Sequence, residues 1–247
     1  MEDKIEKIRL DKFLVTAELV KSRDRAIDMI KNGKILVNSK IIKKPSTQVN
    51  GTEKIELTEE DFPWVSRAAL KLKKALSYWQ ISVNGRTCLD VGASTGGFTE
   101  VLLSKGATKV YAIDVGHDQL DPKLKKDPRV VWHEGVNAKD LTSETVPEQV
   151  DLVVADVSFI SQTLLLPTII KFLKDGGEMV TLIKPQFEIG HKVARFKGIV
   201  KEKELQEAAI EKVKATANKI GLTVNAVMES PIKGGSGNQE FLIWMKK

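Results

Sequence analysis

Three charged residues stand at the ends of runs that are otherwise apolar. Asp156 closes VDLVVADV, Lys184 closes EMVTLIKP, and Glu240 follows the glycine-rich stretch Lys233-Gly234-Gly235-Ser236-Gly237-Asn238. An ionisable side chain at the end of a buried strand costs free energy unless it is paired or faces a cleft. Groups of this kind align substrates or move protons. A second grouping is small and mostly uncharged: Asp90-Val91-Gly92-Ala93-Ser94-Thr95-Gly96-Gly97-Phe98-Thr99. Its small residues let the backbone approach a ligand and enter a helix without a Cβ clash. Ser94 stands where a dinucleotide fingerprint would have its second glycine, so the loop departs from that fingerprint, and a phosphate-binding or nicotinamide Rossmann domain stays the alternative to a nucleoside-binding loop of another kind. Asp114 closes the next apolar run, VYAIDVG, about 20 residues downstream, where an acid can bind ribose hydroxyls.

The elements that must position these residues alternate between strand and helix. Strands are expected at Cys88–Val91, Val110–Asp114, Val130–His133, Asp151–Asp156, Met179–Lys184, Val224–Glu229 and Glu240–Met245. Helices are expected at Ser66–Tyr78, Gly97–Lys105, Ser161–Leu173 and Glu202–Ile220. The pattern predicts an α/β domain with a mainly parallel sheet, whose ligand lies beyond the C-terminal strand ends. Glu240 joins that edge if the last strand runs antiparallel. Asn137, after the third strand, is either a polar contact to a base or a turn-capping residue, as is Asp140. Lys71 lies in SRAALKLKKAL, and its neighbours Lys73 and Lys74 share its composition, so spacing does not single it out.

Upstream of about Phe62 the pattern changes. Leu10, Phe13, Leu14 and Ala17 form one helical stripe; Ser22 is an N-cap candidate for a second helix carrying Ala26, Ile27 and Ile30. Asn32-Gly33 is a left-handed stop signal, Lys34–Val37 a strand, Asn38-Ser39-Lys40 a turn, and Ile41-Ile42 the return strand. The polar face carries Arg9, Lys12, Lys21, Arg23, Arg25 and Lys34, which suit phosphate contacts or form a solvated basic face. An acidic stretch from Glu53 to Asp61 then ends in Phe62-Pro63-Trp64. The expected organisation is a small α+β domain over 1–61, a linker at 62–65, and the α/β domain over 66–247.

Bulk properties narrow the classes. The 247 residues carry a net charge of +6 and one cysteine, which excludes an intrachain disulfide. No apolar run approaches a membrane span, and the charged N-terminus lacks the apolar centre of a signal peptide. No Cys/His cluster has zinc-ligand spacing. A cytoplasmic protein without structural metal is expected.

The N-terminal order R-L-D-K-F-L, S-R-x-x-A and I-K-x-G-K-I-L-V-N resembles the S-four RNA-binding domain. The loop after the first α/β strand resembles that of class I methyltransferases. Across the chain, S-R-A-A-x-K-L, D-V-G-A-S-T-G-G-F-T, A-D-V-S-F-I-S, I-K-P-Q-F-E and S-P-I-x-G-x-x-G-N-x-E-F are similar to the TlyA family of FtsJ-like methyltransferases, a family also called haemolysin A. That resemblance implies a Rossmann-like domain with a seven-stranded, mainly parallel sheet behind an S-four-like domain. It implies 2′-O-methylation of cytidine in ribosomal RNA or ribosomal subunits, with S-adenosyl-L-methionine as cofactor. It carries a catalytic Lys-Asp-Lys-Glu set onto Lys71, Asp156, Lys184 and Glu240. Cofactor contacts are expected from Asp90, Gly92, Ala93, Ser94, Gly96, Gly97, Phe98, Asp114 and Asn137. RNA contacts are expected from Arg9, Lys12, Lys21, Arg23, Arg25, Lys34 and Arg67. Lys184 is the expected base. Two rival classes are a membrane-active cytolysin and an rRNA-binding assembly factor with a silent pocket. Phe187 is either a stacking surface for the target base or a packed wall, and the basic segment Gly190–Gly198 either a loop that closes over RNA or a solvated one.

Overall fold

Apolar residues at helical and strand spacing build two compact units, Met1–Pro63 and Trp64–Lys247. The computed structural model describes residues 7–20, 23–58, 64–189 and 198–247. The N-cap candidate Ser22, the end of the acidic stretch with Phe62-Pro63, and most of the basic segment at 190–197 lie outside the described residues.

The first unit contains β1 (Ile8–Arg9), α1 (Leu10–Thr16), α2 (Arg23–Lys31), β2 (Ile35–Val37), β3 (Lys40–Ile41), β4 (Gln48–Val49) and β5 (Ile55–Leu57). Its core is Leu10, Leu14, Val20, Ala26, Met29, Ile30, Ile35 and Val49, drawn from α1, α2, β2 and β4 with Val20 from the segment after α1. The stop at Asn32-Gly33 forms as expected. Gly33 has φ +71°, its N–H bonds Ile30 O, and the Lys34 N–H reaches Met29 O, the double bond of a Schellman cap. Asn38 and Ser39 both take positive φ and turn β2 into β3. The strand β5 was not expected. Glu53 and Glu56 had marked this stretch as boundary, yet Ile55 and Leu57 pair with β2 and pack on the core.

The second unit is an α/β/α sandwich. It contains α3 (Ala69–Tyr78), β6 (Thr87–Val91), α4 (Gly97–Ser104), β7 (Lys109–Ile113), α5 (Pro122–Lys125), β8 (Val130–His133), β9 (Val150–Ala155), α6 (Gln162–Ile169), β10 (Leu173–Ile183), α7 (Pro185–Glu188), α8 (Lys203–Lys219), β11 (Thr223–Glu229) and β12 (Phe241–Lys246). The seven-stranded sheet has the order β11-β12-β10-β9-β6-β7-β8. The five strands from β10 to β8 are parallel, while β12 runs antiparallel between β10 and β11. Apolar residues of α6 and α8 cover one sheet face, and those of α3 and α4 the other.

Two boundaries differ from expectation. The helix expected over Ser161–Leu173 stops at Ile169, and a 3₁₀ turn at Ile170–Phe172 follows, because Leu173 is drawn into pairing with Val150. The strand β10 is therefore longer than expected and carries a register shift between Leu173 and Glu178. Between β6 and β9 the chain order reverses across the sheet, and such a switch point opens a crevice beyond the strand ends. Gly92 leaves β6 there, and Asp156 leaves β9 there.

Candidate active site

Four charged side chains from distant parts of the chain meet at this crevice. Lys71 Nζ, on the first turn of α3, donates to Asp156 Oδ2 at 2.9 Å and to Glu240 Oε2 at 2.7 Å. Lys184 Nζ lies 2.7 Å from Asp156 Oδ1 and donates to Ser158 Oγ at 2.9 Å. Asp156 thus bridges two amines, and Lys71 bridges two carboxylates. The strand ends explain the convergence: Asp156 follows β9, Lys184 follows β10, and antiparallel β12 brings Glu240 to the same edge. Lys71 is 6 % exposed, whereas Lys73 and Lys74 on the same helix are exposed beside the Trp64 and Tyr78 rings. Helical rotation separates the three lysines, which composition could not.

The charges alter one another. Burial works against a charged Lys71, but Asp156 and Glu240 outweigh it and raise its pKa above the ordinary value. Burial likewise opposes ionisation of Asp156, and Lys184 and then Lys71 reverse the balance, holding its carboxyl at about 2. Asp156 is therefore an anion and Lys71 a cation across the physiological range.

The four residues line one cavity of about 540 Å³ together with Ser66, Gly92, Ala93, Ser94, Phe98, Ser158, Phe159 and Phe187. Gly92, at φ +80°, could not carry a side chain: a Cβ there would lie 2.9 Å from the Asp156 carbonyl oxygen. Gly96 and Gly97 serve packing instead of forming this wall. A Cβ on Gly96 would overlap Leu124, and one on Gly97 would press on Ser66 at 2.9 Å. Asp90 lies fully buried beneath the loop. Thr99 Oγ1 donates to its Oδ2 at 2.6 Å, Oδ1 has no partner, and burial pushes the carboxyl up to about 7.

Asp114 accepts the Ser94 N–H and the Gly116 N–H, each at 2.7 Å, and so ties the β6 loop to the turn after β7. Val115 beside it is an exposed apolar residue. Asn137 takes the capping alternative: its side chain accepts the Lys139 N–H at the start of a 3₁₀ turn. Arg67 donates to Lys233 O and holds the glycine-rich stretch that precedes Glu240.

The sequence by itself does not single out Glu134 or Glu188, whereas Phe159 beside Asp156 is expected near the cleft. Glu134 accepts the backbone N–H groups of Asp118, Gln119 and Leu120 and the Lys125 ammonium, and its carboxyl drops to about 2. It fixes the turn after Asp114, and nothing in local sequence foretells three donors arriving from another segment. Glu188, on α7, accepts the Ser161 hydroxyl and the Gln162 N–H, joining the walls that carry Ser158 and Lys184. Phe159 has φ +64° and is 89 % exposed, with its ring 5.2 Å from Phe187 at the cavity rim. A strained, solvated aromatic is an expensive arrangement for a merely structural wall.

In the first unit, Arg9 makes a two-pronged contact with buried Asp11 at 2.9 Å, and Arg23 Nε reaches the same carboxylate at 3.1 Å. The Arg9 hydrogen bonds, with those of Arg23, outweigh burial and lower the Asp11 carboxyl to about 2. Arg9 and Lys12 line a groove with Lys7, Ile8 and Gln48. Arg25 is only 7 % exposed and Lys34 half-buried, so neither is a freely projecting cation like Lys12; Lys21 lies outside the described residues.

Residues 64–247 match the FtsJ-like methyltransferase family and residues 8–55 match the S4 domain. The chain therefore belongs to the FtsJ-like methyltransferases, with an S4 domain ahead of the catalytic fold. Within them it belongs to the TlyA family. The 16S/23S rRNA (cytidine-2′-O)-methyltransferase TlyA of Mycobacterium tuberculosis (strain H37Rv) is 43 % identical over 239 residues, covering 96 % of this chain and 89 % of that protein. Hemolysin A of Brachyspira hyodysenteriae is 42 % identical over 237 residues, covering 95 % of this chain and 98 % of its own. A solved structure described as a hemolysin from Streptococcus thermophilus is 39 % identical with a TM-score of 0.79, covering 98 % of this chain and 89 % of that one. Among the described residues no helix is long and apolar enough to cross a membrane.

Proposed function

We propose that this protein methylates the 2′-hydroxyl of a cytidine in ribosomal RNA, with S-adenosylmethionine as methyl donor. The observation that carries this reading is the meeting of Lys71, Asp156, Lys184 and Glu240 in one cavity beside the Gly92–Ser94 turn. The residues present fit such a donor. Small Gly92, Ala93 and Ser94 and the apolar ring of Phe98 line the cavity beside the four charged residues, and about 540 Å³ is within the usual range of small-molecule pockets. Gly92, Ala93, Ser94 and Phe98 would hold it, with Asp114 toward its ribose and Val115 toward its base. When bound, the donor supplies an electrophilic sulfonium methyl.

The chain's own residues then have two tasks, alignment and proton removal. Lys184 is the base in this reading and accepts the 2′-hydroxyl proton as that oxygen attacks. Asp156 keeps both amines at the crevice, and Lys71, held as a cation between two carboxylates, sets a fixed positive charge near the reacting oxygen. Phe159 and Phe187 offer a face on which a base withdrawn from its helix would stack. In the S4 domain, Arg9, Lys12 and Arg23 would contact phosphates and position the RNA. Acting on ribosomal RNA, the protein works in the cytoplasm.

The test is transfer of tritium from labelled donor to ribosomal RNA. Wild-type protein should label RNA at a ribose. Lys184→Ala should bind donor with similar affinity by calorimetry and transfer none. An active Lys184→Ala enzyme, or no labelling of either ribosomal subunit by wild type, overturns the reading.

A further inference from the structure

We infer that Ser158 is a positioning residue that aims the Lys184 amine, an inference that rests on Lys184 being the base. Lys184 Nζ has two neighbouring oxygens of different quality. Asp156 Oδ1 is 2.7 Å away, close enough for a charge pair, yet it receives no hydrogen bond of proper geometry. Ser158 Oγ, at 2.9 Å, does receive one. The carboxylate therefore supplies attraction, and the hydroxyl supplies direction.

Direction matters because an amine on a tetrahedral carbon is a three-fold rotor. Anchoring one N–H on Ser158 fixes where the other two positions point, and a base must point its lone pair at the proton it removes. Lys184 and Ser158 both line the cavity, so the anchored amine stands at the wall of the space available to a ribose. Three further groups surround this pair. Asp156 touches Lys184 directly, Lys71 touches Asp156, and Glu240 touches Lys71. None of them donates or accepts at Ser158 Oγ among the described contacts.

Ser158 is exposed, so its hydroxyl contributes little to the core and its loss should leave the fold intact. In Ser158→Ala the amine keeps its charge pair and loses its anchor. Single-turnover methyl transfer should fall about 10- to 100-fold, as for other small misalignments of reacting groups, with donor and RNA affinity unchanged. A kcat-against-KM split gives a second signature: kcat falls while KM for donor and RNA holds, a combination that a general loosening of structure does not produce. Ser158→Thr keeps a hydroxyl and should restore most of the rate.

The outcomes separate cleanly. If Lys184→Ala is inactive and Ser158→Ala is as fast as wild type, the inference about Ser158 fails while the base assignment stands. If Ser158→Ala is slow but Ser158→Thr is equally slow, the hydroxyl is not the cause and the inference fails. If Lys184→Ala retains activity, the base assignment fails first and takes this inference with it.

Discussion

Replacing Lys71 by methionine keeps the length and helix preference of the side chain but removes the charge that joins two carboxylates. Asp156 owes its carboxyl value of about 2, against an ordinary 3.8, to Lys184 first and Lys71 second. That shift is what remains after burial, which opposes ionisation, so the pairing exceeds the roughly 2 kcal/mol it corresponds to, and Lys71 holds the smaller part. Glu240 is more exposed to the loss, being 3 % solvent-accessible with its Oε2 on Lys71. Leaving a buried charge without its partner costs about 3–5 kcal/mol. Relief from burying the Lys71 ammonium offsets part of this, which leaves a net loss of about 3 kcal/mol. For a domain of this size that is a fall of about 6–12 °C in unfolding midpoint. Calorimetry of the full chain reads it. In wild type the depressed Asp156 carboxyl stabilises the fold above its unfolded value near 4, a contribution lost only as pH falls through about 2, so the scans belong at neutral pH. Glu240→Gln placed in the Lys71→Met background should recover most of the loss. A deficit under about 1 kcal/mol, or one untouched by Glu240→Gln, would refute the claim that Lys71 neutralises buried charge.

Other expectations follow from single contacts. Gly92→Ala sets a Cβ against the Asp156 carbonyl at 2.9 Å with φ +80°, so the full chain should lose about 2–4 kcal/mol in denaturant unfolding; a loss under about 1 kcal/mol would mean that the β6 and β9 ends are not in close contact. Asp90 has a folded carboxyl value of about 7 against an ordinary 3.8, so the unfolded chain ionises first and stability should fall as pH rises from about 4 to 7, by up to about 4 kcal/mol. Asp90→Asn should flatten that slope in donor-free protein, and an unchanged slope by urea titration would assign it to other groups. Arg9→Ala should weaken RNA binding and reduce the slope of log affinity against log salt by about one unit, read by titration at several salt concentrations; an unaltered slope would exclude a phosphate contact there.

Much of this protein is written locally. Alternating apolar runs and helical stripes determine the strands β6 to β12 and their flanking helices, because burial of one face or both is enforced residue by residue. The Asn32-Gly33 stop and the glycine at 92 are equally legible, since only glycine tolerates those backbone positions without strain. Asp156, Lys184 and Glu240 stand out as ions at strand ends. Lys71 does not, because three lysines within four positions differ only in the direction each projects, and the tertiary fold alone buries one of them. Asn137 and Asp114 show the same limit. Sequence names a polar residue at a strand end, but the packing of distant backbone decides whether it caps a turn or ties two loops. Glu134, Glu188 and Ser158 take their meaning wholly from partners far along the chain. Ionisable groups act over a few ångströms in space, and the distance along a sequence carries no measure of that separation.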